Sequence, residues 1–292
     1  MSGDLHSEHS PPIHKDYGNG HSNGGDFLHP SMTQDQALHR IRTAGSISIS
    51  PELFEKLYLS PANNVKGDLR KTFANPTPLA LIGFLIALNP LACDLMGWRG
   101  TGGVGVGAAG VGTYYFFGGL LMILGGLGEW LLGNTFPFVV FSSFGAYWLS
   151  LGATFTPAYA AQSAYGQDTA AYYASFAFFF VFMGLVCLIY LVCSLRTNVA
   201  FVIIFFSLVL AFSCLSATYW QAANGNMATS ATLQKASGGI LFVTCVVGWW
   251  IFAAIMLASL DFPFALPVGD LSNFIKPGSA RRSKAETADG GV

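Results

Sequence analysis

From residue 77 onward the chain is a succession of apolar runs separated by short polar or glycine-rich breaks. Six runs stand out, near 77–97, 112–132, 137–156, 172–194, 198–220 and 237–260. Each matches or exceeds the roughly 20 residues that an α-helix needs to cross the hydrocarbon core of a bilayer. The pattern predicts an all-α membrane protein with six transmembrane helices. Ahead of them, residues 1–50 are rich in His, Gly, Ser, Asn and Pro and poor in large hydrophobes. Such a segment cannot offset its ordering entropy and reads as a disordered tail. Residues 51–72 mix Leu53, Phe54, Leu57, Tyr58 and Leu59 with charges, as an amphipathic segment at a membrane interface does. The expected plan is a tail at 1–50, an interfacial segment at 51–72, a six-helix unit at 73–265 and a second tail at 266–292.

Interruptions within the pattern carry as much information as the runs. The stretch "ANPTPLALIGF" at 74–84 places Asn75, Pro76, Thr77 and Pro78 directly before apolar sequence. Proline is tolerated near a helix start, and Asn and Thr oxygens cap exposed N–H groups, so the stretch predicts a built helix entrance. Two readings of that entrance stay open: a capped helix end, or a helix N-terminus whose free N–H groups meet an anion, as in transporters with broken helices. Asn89 and Pro90 are expected to interrupt the first span, and "GTGGVGVGAAGVG" leads into the second. Gly118, Gly119, Gly125, Gly126 and Gly128 predict a second helix that packs closely on its neighbours. The small residues of spans one and two are also expected to join protomers into a ring.

Composition narrows the class. Only 10% of the residues are charged against 52% hydrophobic, well below the roughly 25% charge of soluble domains. Between 100 and 260 the charged side chains are Glu129, Asp168, Arg196 and Lys235 alone. A formal net charge of -1 gives no reason to expect nucleic acid as a partner. The five cysteines fall in apolar segments, where a thiol acts as a small hydrophobe, and all six histidines lie in the N-terminal tail, so no metal site or cofactor is expected. With no membrane histidine, no G-x-S-x-G and no P-loop lysine, an enzyme is not expected either. Basic residues gather before span one, at Arg196 and after span six. The positive-inside rule then places both termini in the cytoplasm.

Glu129 is the one ionisable residue deep in the second apolar block. An intramembrane carboxylate is costly enough to be a functional candidate, facing a pore or coupling to protons. Asn134 and Thr135, five and six residues on, offer helix caps. They place Glu129 near a helix end, so a charge snorkelling to the membrane edge is the structural alternative.

At these residues the chain resembles a known family. "NPTPLALIGF" is similar to the N-P-A-P-L-G-L-x-x-F signature of acetate uptake transporters, also called the YaaH family, which includes bacterial succinate-acetate permeases and fungal acetate permeases. "FFGGLLMILGGLGEWLLGNTFPFVVFSSFGAYWLSLG" at 116–152, "RTNVAFVIIFFSLVLAF" and "LPVGDLS" extend the resemblance over about 70–272, and the long polar tail favours a fungal member. The resemblance implies a six-helix protomer in a homohexamer, each subunit with its own central pore for acetate and related short monocarboxylates, proton-coupled or channel-like, in the plasma membrane among its lipids. It implies that Asn75, Pro76, Pro78, Leu79 and Leu81 form the signature and that Phe84, Phe144 and Leu208 form a hydrophobic constriction. Glu129 and Asn134 fall on polar positions near the pore. Thr77, Ala80, Phe144 and Met122 depart from the usual alanine, glycine, tyrosine and glutamine. An ammonium or ammonia exporter, or an acetate-sensing membrane protein without transport, are the alternatives.

Overall fold

The computed structural model describes residues 72–103 and 105–271, so the tail expected at 1–50, almost all of 51–72 and the chain beyond 271 lie outside the described residues. The described part is helical, with six helices long and apolar enough to cross a membrane. They are α1 (Thr77–Met96), α2 (Ala108–Leu131), α3 (Thr135–Phe155), α4 (Thr169–Ser194), α5 (Val199–Ala223) and α6 (Met227–Ser259). All six expected spans are present, and α6 begins ten residues early. Residues 227–236 are too polar to register as an apolar run, but their backbone continues the helix beyond the apolar part.

The expected break at Asn89 and Pro90 does not occur, because α1 runs unbroken through Pro90. Pro90 faces outward, and its neighbour Asn89 accepts a hydrogen bond from the Trp249 indole at 3.3 Å, tying α1 to α6. The irregular helix is α2. It opens as a 3₁₀ turn (Ala108–Gly110), passes through Val111–Thr113 into a π-helical stretch (Tyr114–Leu121) and finishes as regular α-helix (Met122–Leu131). π-helical turns are rare and collect at functional positions.

Backbone packing runs from α4 to α5, α5 to α6, α6 to α1, α1 to α2 and α2 to α3. Side chains close the ring between α3 and α4, where Tyr147 stacks on Phe179 (5.4 Å between ring centres) and Phe136 meets Tyr190 edge-on at 6.0 Å. This arrangement leaves α1, α2, α3 and α5 facing one central axis. The outer face of α4, with Phe178, Phe182, Leu185, Ile189 and Val192, is exposed and apolar, as a lipid-facing surface must be.

The α2 glycines do pack closely, but inside the protomer. A Cβ on Gly118 would sit 2.4 Å from Trp148 Cγ, one on Gly125 2.7 Å from Ala80 Cβ, and one on Gly83 of α1 2.5 Å from the Phe117 carbonyl. These faces are filled by contacts of α2 with α1 and α3 within the chain. Gly118→Ala is expected to cost about 1–3 kcal/mol through overpacking, whereas Gly112→Ala, whose Cβ would meet nothing within 4 Å, is expected to leave stability unchanged or slightly raised. Thermal unfolding of the two variants in detergent measures the difference.

After α6 the chain returns to the helical unit instead of leaving it. Val199 N–H donates to the Gly269 carbonyl at 2.7 Å, Leu271 N–H to Thr197 at 3.0 Å, and the Trp250 indole to the Pro267 carbonyl at 2.8 Å. Val268, within this strap, is buried. The strap satisfies N–H groups at the start of α5 that the helix itself leaves open, and the packed unit therefore extends through Leu271, beyond the expected boundary at 265.

Candidate functional site: a polar triad, an apolar neck and a vestibule

At the end of the bundle where α1 and α3 begin, three side chains form a buried polar group. Thr77, Glu129 and Asn134 are each 1% exposed. The Thr77 hydroxyl donates to Glu129 Oε1, and the Asn134 amide donates to Glu129 Oε2 at 2.7 Å. Local sequence builds this geometry. Asn75 Oδ1 accepts from Thr77 N–H at 2.9 Å, which caps α1 and fixes Thr77. Gly128 admits Pro76 against the end of α2, where any Cβ would lie 2.5 Å from Pro76 Cβ. Gly133, at φ +77°, closes α2 with a left-handed turn in which Gly133 N–H donates to Trp130 and Asn134 N–H to the Glu129 carbonyl at 2.9 Å. Backbone and side chain of Asn134 thus both hold Glu129.

The snorkelling alternative for Glu129 is overturned by its burial. Asn134 occupies the first flanking position of α3 but makes no side-chain cap there; its side chain is turned to Glu129, to which its amide donates. A carboxylate in the last turn of α2 opposes the dipole of its own helix; the nearby starts of α1 and α3 and the two donated hydrogen bonds offset that cost.

Phe84, Phe144 and Leu208 line one cavity of about 30 Å³, together with Leu81, Met122, Val140, Phe141, Phe201, Ile204 and Phe205. Phe84 and Phe144 meet edge to face, 6.0 Å between centres at 78°. The lining is entirely apolar, and the void has room for a water or two rather than for an organic acid. Helical register ties neck and triad together. Seven residues separate Thr77 from Phe84, Glu129 from Met122 and Asn134 from Phe141, about 10 Å along each helix.

On the far side of the neck lies a vestibule of about 570 Å³, lined by the loop at Gly105, Val106 and Ala108, the end of α3 at Phe155 and Thr156, and Tyr172, Tyr173 and Tyr219. Along α3, Asn134, Phe144 and Phe155 mark triad, neck and vestibule in turn. Of the other residues singled out from the sequence, Pro76 and Pro78 are half-buried at the α1 entrance. Leu79 is 40% exposed and Thr135 is exposed at the start of α3, so these two stand apart from both groups.

Sequence reading missed Asp94, the one carboxylate within the first apolar run. Its Oδ2 accepts from Gly107 N–H at 2.6 Å and its Oδ1 from Gly102 N–H at 3.3 Å, anchoring the glycine-rich loop that walls the vestibule. It also missed Phe201, Ile204 and Phe205, which sit at helical spacing with Leu208 but on a helix that is apolar all round, where periodicity gives no direction.

The chain is 44% identical over 238 residues to Protein alcS of Aspergillus fumigatus, covering 78% of this chain and 87% of that one. It is 31% identical over 220 residues to Acetate permease A of Emericella nidulans, covering 74% and 72%. A solved structure of the bacterial acetate channel SatP is similar at 26% identity and a TM-score of 0.48, covering 68% of this chain and 99% of that one. Residues 59–273 match the model of the GPR1/FUN34/yaaH family, and the chain belongs to that family.

Proposed function

We propose that the protein carries acetate and related short monocarboxylates across a membrane through the passage between α1, α2, α3 and α5. The observation that carries this reading is the all-apolar neck of Phe84, Phe144 and Leu208 set between a polar triad and a wide vestibule. A dry constriction of this kind rejects hydrated inorganic ions through the cost of stripping their water, while a small acid that sheds water or takes up a proton crosses it. The relative named as an acetate permease supports the same cargo.

In this reading Glu129 is the proton-responsive group, since a buried carboxylate two helical turns from the neck changes the local charge when it binds a proton. The protein works in the plasma membrane with both termini cytoplasmic, the orientation that the basic residues around spans one, four and six favour. It assembles as a homo-oligomer, six protomers by the family resemblance, each with its own passage. Asn75, Pro76, Thr77 and Pro78 set the entrance, with Leu81 leading into the neck.

Purified full-length protein in liposomes, given labelled acetate with an acidic exterior, is expected to take up label well above protein-free liposomes. No uptake above that background rejects the reading. Ammonium flux without acetate flux indicates instead that the apolar neck passes a neutral amine.

A further inference from the structure

Between the vestibule and the neck the structure holds two buried polar groups that are given nothing to bond. Among the described residues the Tyr114 hydroxyl and the Trp148 indole N–H have no hydrogen-bond partner, although each residue is only 1% exposed. Their rings stack with centres 5.1 Å apart and planes 22° from parallel, and Phe155 of the vestibule wall lies 6.4 Å from Tyr114. Leaving a buried donor unpaired is expensive, and here two occur side by side at the first residue of the π-helical stretch and on the helix it packs against.

What covers the Tyr114 hydroxyl is the glycine loop. A Cβ on Gly110 would lie 2.6 Å from that oxygen and one on Gly107 3.3 Å from it, so only bare backbone fits over it. The same loop walls the vestibule at Gly105, Val106 and Ala108. Its glycines at 97, 100, 102, 105 and 107 all have positive φ, conformations that carry little steric penalty for glycine and leave no side chains over the hydroxyl at these positions. Asp94 pins it at Gly102 and Gly107. A shift of this loop opens the hydroxyl directly onto the vestibule.

We infer that Tyr114 is a substrate-contacting residue on the vestibule side of the neck, whose hydroxyl donates a hydrogen bond to the carboxyl group of the passing acid when the glycine loop moves aside. The inference rests on the transport reading and adds a polar selection point to the apolar one. The unpaired donor disfavours the covered state and is satisfied by the cargo. A carboxyl oxygen is the matching acceptor, and the phenol ring, stacked on Trp148, keeps the donor aimed as the loop opens.

Tyr114→Phe removes the hydroxyl and leaves ring and stacking in place. Half-saturating acetate concentration is measured for uptake into liposomes, and binding of labelled acetate is measured on the same purified full-length protein, with thermal unfolding as the check on folding. The expected result is a rise of about three- to tenfold in half-saturation and in the dissociation constant, the worth of one hydrogen bond, with unfolding temperature equal or higher. If the parental protein transports acetate and Tyr114→Phe leaves both constants unchanged, the inference is overturned and the transport reading stands. If the parental protein binds acetate without moving it, the transport reading falls, and weakened binding in Tyr114→Phe sustains the contact while unchanged binding overturns it. A parental protein that neither binds nor moves acetate overturns both.

Discussion

Phe84→Ala is expected to raise succinate flux relative to acetate flux by roughly tenfold, with acetate flux not lowered. The neck cavity of about 30 Å³ is too small for either acid, so along the proposed route each passage parts the Phe84 and Phe144 rings. An edge-to-face pair is worth about 0.5–1.5 kcal/mol, and about 1.4 kcal/mol of barrier is a factor of ten in rate. Removing one ring spares the bulkier dicarboxylate most, because it demands the widest opening. The same change costs stability, about 3–5 kcal/mol for a fully packed phenylalanine, toward the lower end here because the ring already borders a void. Side-by-side flux of the two labelled acids in liposomes, with assembly checked by size-exclusion chromatography, gives the ratio. A well-assembled variant that keeps the parental ratio removes Phe84 from the selective neck.

The second large effect is expected at the triad. Glu129→Gln keeps the shape of the side chain and its packing against Thr77 and Asn134 but cannot titrate. If proton uptake at Glu129 couples to passage, parental flux rises steeply as external pH falls, and in the variant the ratio of acidic to neutral flux drops toward about one. One amide contact changes character as well: the Asn134 amide can still donate to the new side-chain oxygen, whereas the Thr77 hydroxyl must turn from donating to accepting. A modest loss of thermal stability accompanies the variant for that reason, on the order of 1 kcal/mol. Flux measured across a pH series decides the matter, and an intact pH profile assigns Glu129 to holding α1, α2 and α3 together and to nothing more.

Both effects depend on one feature of the arrangement, that polar and apolar stations share a register. Thr77, Glu129 and Asn134 come from three helices, yet each lies seven residues from a neck residue of its own helix. On the proposed proton-coupled reading, a displacement at the triad when Glu129 takes up a proton is passed along about two turns of rigid helix to the rings around the apolar cavity. The close glycine contacts of α2 with Pro76, Ala80 and Trp148 leave little slack between them.

The amino-acid sequence by itself determined the class of this protein and the six spans, because burial in lipid demands long apolar helices and very few charges, and both are visible without any fold. It also determined the helix entrance at Asn75, since a capping side chain acts within two residues of itself. Tertiary structure alone decided the rest. Periodicity did not single out Phe201, Ile204 and Phe205 as the cavity-lining side of α5, because a helix surrounded by lipid and protein is apolar on every face and only its neighbours distinguish one face from another. The continuity of α1 through Pro90 came from packing that tolerates the missing donor on an exposed side, where local propensity argued for a break. The α2 glycines, legible as close-packing residues, did not reveal whether they meet a neighbouring helix or a neighbouring protomer, for the same small surface serves either. Asp94 and Tyr114 acquired meaning only when the loop between α1 and α2 folded back over them, bringing backbone N–H groups to a carboxylate and bare glycine backbone to a hydroxyl. Contacts of that kind depend on where a flexible, side-chain-poor segment settles in three dimensions, which no local pattern of residues encodes.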